Sequence, residues 1–300
     1  MNETYGANAA SEKNVAEGQL SQAEALMNVA REETWEEHIQ KAEELTKRGK
    51  ISLAKPTVKF RNEQGEIMEL RRPGDTTSAL ITSWFNRYPK QTTEIGGMMR
   101  ESYEKGVPLR VLNIGVAQGQ EALTYIQEAS NMVGEDSVGD ALDLELVEYA
   151  SEIPMIDRDL SGKISSSSFD YLKKLYNSPK AHFGTPFQDF VKELKAKGEK
   201  RDVVLFNNVI QHLNYNVPKE QMLEDMENLA DVVDDGGILC LTCVASVMNK
   251  AENSEVKELF EETLSMLNAK GFEEEDVMKF GEEKSGKPYG GIFRKNNIRR

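Results

Sequence analysis

The chain has 300 residues, and its 37 Lys and Arg against 51 Asp and Glu leave a net charge of −14. Apolar residues at 39% and charged residues at 29% exclude a wholly disordered chain, and the length suits one large domain or two ordinary ones. So acidic a balance disfavours nucleic acid as a partner, because phosphate neutralisation needs a basic surface.

No run approaches the roughly 20 apolar residues of a membrane helix. Met1 to Gln19 offers no apolar stretch to serve as a signal. The two cysteines, Cys240 and Cys243, are too few for a disulfide framework or a closed zinc site. The expectation is a cytoplasmic protein with no membrane partner and no metal.

Residues 1–18 carry almost no apolar anchor and read as mobile. Ser21-Gln22-Ala23-Glu24 is a capping-box pattern, and Leu26, Ala30, Ile39, Ala42 and Leu45 follow at helical spacing up to Gly49. Thr57 to Arg61 and Glu66 to Arg71 alternate around Asn62-Glu63-Gln64-Gly65, a hairpin signal. Arg72-Pro73-Gly74-Asp75 is a turn that caps a helix through Leu80, Ile81, Trp84 and Phe85 to Tyr88. A further helix covers Thr92 to Tyr103. Residues 19–106 thus read as a mainly helical N-terminal extension with one hairpin.

From residue 107 to 300, short apolar runs alternate with helical segments, the pattern of a parallel α/β sheet. Leu109 to Ile114 is the first strand, followed by a Gly-rich turn and a helix from Gln120 to Ser130. Ser137 to Leu142 reads as the second strand, Leu144 to Glu152 as a helix, and Ser165 to Ser168 as a loop or helix start. Asp202 to Phe206 is apolar enough for a strand buried on both faces. A helix over Pro218 to Val233 stops at Asp234-Asp235-Gly236-Gly237, and Ile238 to Val244 is the next strand. Cys240 and Cys243, three apart on it, point to opposite faces and serve core packing. A helix from Ser254 to Ala269 ends at Lys270-Gly271-Phe272, and the last strands fall near Val277 to Phe280 and Gly291 to Phe293.

Asn113-Ile114-Gly115-Val116-Ala117-Gln118-Gly119 joins a strand to a helix, where glycines let backbone approach a ligand closely. The Gly115/Gly119 spacing is not the G-x-G-x-x-G of a dinucleotide site, and no P-loop run is present. No metal-ligand spacing and no serine nucleophile elbow appears.

Over roughly residues 107–295 the chain resembles the class I S-adenosylmethionine-dependent methyltransferases. The resemblance rests on the 115–119 turn, the strand Asp202 to Phe206 running into Asn207-Asn208-Val209-Ile210-Gln211-His212-Leu213, Asp235-Gly236-Gly237 before a strand, and Lys270-Gly271-Phe272 before a terminal hairpin. It implies a Rossmann-like seven-stranded methyltransferase sheet, mostly parallel with an antiparallel terminal hairpin. It also implies S-adenosylmethionine as cofactor, held around Asn113, Gly115, Ala117 and Gly119.

Two stretches look like the CheR-type (chemotaxis-receptor glutamate) methyltransferases. Gln118-Gly119-Gln120-Glu121 stands for that family's Thr-Gly-Glu-Glu, and Asn207 to His212 for its Arg-Asn-Val-Leu-Ile-Tyr. The match implies that Glu121 holds the cofactor's amino group and that Asn207 and Asn208 contact the cofactor. His212 then stands near the transferable methyl, where its near-neutral pKa suits a general base.

The class also implies a carboxylate for the ribose at the end of strand two, and Asp143 is preferred over Asp140, with a helix cap as its other reading. Asp189 and Phe190 stand where the class binds adenine, or else begin an amphipathic helix. The acceptor is a small molecule with an O or N nucleophile, or a protein carboxylate. A nicotinamide-dependent oxidoreductase and a non-catalytic scaffold stay open.

Overall fold

A computed structural model describes residues 57–61, 67–71, 88–117, 119–149, 164–213, 218–243, 254–278 and 289–296. The expectations for residues 1–56 and for the helix through Leu80 to Phe85 fall outside these. β1 (Thr57–Arg61) and β2 (Ile67–Arg71) pair antiparallel, as their alternation predicts.

The remaining elements build one α/β unit. They are α1 (Pro89–Glu104), β3 (Leu109–Ile114), α2 (Gln120–Val133), the short α3 (Val138–Ala141), β4 (Leu142–Glu148), α4 (Ser166–Tyr176), β5 (Ala181–Phe183), α5 (Phe187–Lys197), β6 (Arg201–Asn207), α6 (Lys219–Asp231), β7 (Val233–Cys243), α7 (Ser254–Ala269), β8 (Phe272–Met278) and β9 (Tyr289–Lys295). The strands form one seven-stranded sheet in the order β5-β4-β3-β6-β7-β9-β8. β3, β4, β5, β6 and β7 run parallel, and only β9 is reversed against β7 and β8. This is the mostly parallel sheet with an antiparallel terminal hairpin that the sequence resemblance implies.

Side chains alternate across the strands and divide the core in two. On one face Val111, Leu146, Val203, Leu205 and Cys240 pack against Ile95 and Met99 of α1, Leu123 and Ile126 of α2, and Leu172 of α4. On the other, Leu112, Val147, Val204, Phe206 and Cys243 meet Val191 of α5, Met226 and Leu229 of α6, and Phe260 of α7. The two cysteines lie in opposite layers, as their spacing on a strand predicts. Pro89 opens α1 at a position where its missing N–H costs nothing. Lys90 pairs with Asp276 at 2.6 Å, and Arg294 bonds both Glu94 and Glu275, so α1 is tied to the terminal hairpin.

Three spans differ from the sequence reading. β4 runs from Leu142 to Glu148, where the sequence suggested a strand over Ser137 to Leu142 and a helix from Leu144, because Val138–Ala141 makes one helical turn and Leu142, Leu144 and Leu146 then face the core in alternation with Asp143 and Glu145. β7 begins at Val233 and absorbs Asp234 to Gly237. A register shift opposite β6 takes up the extra residues, and a Cβ on Gly237 would lie 2.7 Å from the Asp202 carbonyl oxygen. β8 starts at Phe272 and carries a bulge between Glu275 and Met278, with Asp276 left-handed at φ +53°.

Candidate functional site

From β3 the chain moves outward through β4 to β5, then crosses back to β6 and on to β7. The crevice beyond the C-terminal ends of β3 and β6 is therefore the topological switch point, where open α/β sheets bind ligands. The Gly-rich turn after β3 lies there. Gly115 has φ +75°, its N–H bonds the Val147 carbonyl at 2.9 Å, and a Cβ on it would meet Val209 Cγ2 at 2.5 Å. Both the dihedral and the space demand glycine. Ala117 is also left-handed, at φ +50°, and Gly119 caps α2 at φ +90°.

On the β4 side of this turn stands Glu148. It ends β4, is 4% exposed, and its Oε2 accepts the Ala117 N–H at 3.0 Å. Neither acidic residue expected at this end of the strand lies there. Asp143 lies at the opposite, N-terminal end of β4, paired with Lys180 at 2.6 Å, and Asp140 lies on α3 before the strand. Both expectations followed from ending the strand six residues early. The charged and apolar alternation from Leu142 to Glu148 was the signal for a strand with one more acidic residue at its end.

Tyr149 follows Glu148, and its hydroxyl donates to Gln188 Oε1 at 3.0 Å. Burial, then the charge of Asp189, push that phenol up to about 12. Asp189 occupies the first turn of α5. Phe190, expected beside adenine, instead packs into the core and against the His182 ring, centroids 4.4 Å apart.

On the β6 side stands Glu121, in the first turn of α2. Its Oε1 accepts from Asn207 Nδ2 at 2.5 Å. Asn207 also forms a reciprocal amide pair with Gln91 of α1, at 2.8 and 3.3 Å, and its Oδ1 accepts from Thr242 Oγ1 at 3.0 Å. Both of its N–H bonds and both acceptor positions are thus engaged within the protein. Asn207 holds Glu121 in place; it has no bond left for a cofactor, which corrects its expected role. Asn208, left-handed at φ +55°, donates to the Tyr88 hydroxyl, which Thr242 also reaches at 3.2 Å. The head of α1 therefore sits on the ends of β6 and β7. Gln91 and Thr242 carried no motif by which the sequence could single them out.

Burial pushes the Tyr125 phenol and the Cys240 thiol up, and the Glu121 charge adds to both. A cation at Glu121 would be electrostatically welcome. Asn113 is fully buried on β3, and neither its amide nitrogen nor its oxygen has a partner among the described residues. His212 closes a 3-10 turn, Ile210–His212, just after β6, and its side chain lies outside the described residues. Among the described residues no helix is long and apolar enough to cross a membrane, and no group of His, Cys, Asp and Glu has metal-site geometry.

No protein-family model matches the chain, and no curated protein matches it in sequence. Solved structures do. The N-methyltransferase NodS from Bradyrhizobium japonicum WM9 is 14% identical over 71% of this chain and 99% of its own, with a TM-score of 0.36. MNMC2 from Aquifex aeolicus is 12% identical over 88% and 84%, TM-score 0.41. The bifunctional kinase-methyltransferase WbdD is 14% identical over 69% and 39%, TM-score 0.42. Likeness at this level lends the site no chemistry; the strand order and connections given above define the fold.

Proposed function

We propose that the chain is an S-adenosylmethionine-dependent methyltransferase acting on an O or N nucleophile of a small molecule. One observation carries this reading. Two carboxylates flank the Gly turn on opposite sides of β3, Glu148 over β4 and Glu121 facing β6. That arrangement suits a ligand with a diol at one end and an ammonium group at the other. It does not suit a dinucleotide, whose pyrophosphate belongs at the helix N-terminus that Glu121 makes negative. The orphaned amide of Asn113 beneath the turn fits a bound polar ligand as well, since a buried amide without partners costs roughly 1–3 kcal/mol per group.

The bound cofactor would supply a methyl group already activated on a sulfonium. This chain's residues do the rest. Glu148 accepts from the ribose hydroxyls, Glu121 pairs with the ammonium, and Tyr149 with Asp189 lines the adenine end. Gln91 of α1 and Tyr88 just before it close the crevice over β6 and β7, and a site closed in this way favours a small acceptor. The CheR-type alternative, a protein glutamate, gains nothing from these contacts, because Asn207 is saturated and Asn208 is bonded to Tyr88. His212 is the base we assign to a neutral nucleophile.

Titration calorimetry with S-adenosylhomocysteine and with NAD tests the reading. S-adenosylhomocysteine should bind, and Glu121→Gln and Glu148→Gln should each weaken it about ten- to a hundred-fold, the value of one charge-assisted bond. Binding of NAD and not of S-adenosylhomocysteine would overturn it. His212→Ala should keep cofactor affinity and lower turnover on the acceptor; unchanged turnover removes His212 as base.

A further inference from the structure

Tyr176 ends α4, and its ring packs against Phe183 at the end of β5, centroids 4.8 Å apart. Its hydroxyl faces the Gly turn: a Cβ on Gly119 would lie 3.0 Å from the Tyr176 oxygen. That oxygen is buried and has no hydrogen-bond partner among the described residues. A buried hydroxyl left this way costs stability, and a phenylalanine would serve the packing better. Two residues before Gly119, Ala117 donates to Glu148, whose side chain rises on the same face of the sheet as Tyr176. Burial, then the Glu148 charge, push the Tyr176 phenol up, so it stays a proton donor throughout the neutral range. A donor and a carboxylate thus flank one turn.

We propose that the Tyr176 hydroxyl is a specificity group of the nucleoside site, donating to a ribose hydroxyl oxygen directly or through one ordered water while Glu148 accepts from the diol. The proposal rests on the S-adenosylmethionine reading above. A vicinal diol is the complementary ligand because each of its hydroxyls donates and accepts, so donor and carboxylate are both satisfied. A phosphate would satisfy the phenol but meet the negative charge of Glu148.

The test titrates S-adenosylhomocysteine and its 2′-deoxy and 3′-deoxy analogues into the wild-type chain and into Tyr176→Phe. Tyr176→Phe should bind S-adenosylhomocysteine about tenfold more weakly. One deoxy analogue, the one lacking the contacted oxygen, should bind both proteins alike. Without ligand, Tyr176→Phe should melt at or above the wild type, because an orphaned donor has been removed. Equal affinity of both proteins for S-adenosylhomocysteine, an equal loss for all three ligands, or a lower melting temperature without ligand would overturn this inference alone. No binding of S-adenosylhomocysteine to the wild type would overturn the cofactor reading and this inference with it.

Discussion

Asn207 shows how one buried amide organises the site. Its four hydrogen bonds reach α1, α2 and β7, so its removal takes one partner from each of Gln91, Thr242 and Glu121 together. Asn207→Ala should lower unfolding free energy by about 1–3 kcal/mol, the range for buried groups that lose a partner, and weaken S-adenosylhomocysteine binding as well. Glu121→Gln should weaken binding with little loss of stability. Denaturant melts of the two variants separate the roles; equal stability of Asn207→Ala and wild type would show that the network contributes nothing. The glycines were legible from the sequence because the strand-to-helix turn restricts residue type sharply, and Glu121 was singled out by the CheR-type likeness. Gln91, Thr242 and Tyr176 were not, since their roles arise from partners tens to hundreds of positions away.

Among elements, β4 was the hardest to read. A central parallel strand is expected to be mostly apolar, and the Val111-Leu112 and Val203 to Phe206 runs of β3 and β6 fit this, so their spans came close from pattern alone. β4 alternates because Glu145 has local partners: His182 Nε2 at 3.0 Å from β5 and Arg201 at 2.6 Å from β6. Burial raises the Glu145 carboxyl, but the bonds from His182 and Arg201 outweigh it and hold the group below its usual 4.5. A carboxyl depressed in the folded state adds stability above its unfolded value, and that stability is lost as pH falls through the folded one. Glu145→Gln should therefore melt below the wild type at neutral pH, with the gap closing in acid below about 4.5. A gap that stays constant from pH 7 to 3 would show that the charge on Glu145 does not matter.

At the scale of the whole molecule, the order of elements carried more information than any motif. Alternating strand and helix signals were enough for a parallel α/β sheet, its antiparallel terminal hairpin was implied by the methyltransferase resemblance, and the acidic surface says nothing about strand order. Among the described residues the sheet is open, with β5 and β8 at its two margins. An unpaired strand margin is a template on which another chain can lay a strand of its own. β5 is only three residues long and offers little to copy. β8 is longer, but the bulge at Asp276 breaks its straight run of amides, and Glu273 to Asp276 set four carboxylates along it. An approaching copy would meet a kinked margin and its own like charges. The bend that lets Asp276 reach Lys90 thus also guards the molecule against association through its longer open side.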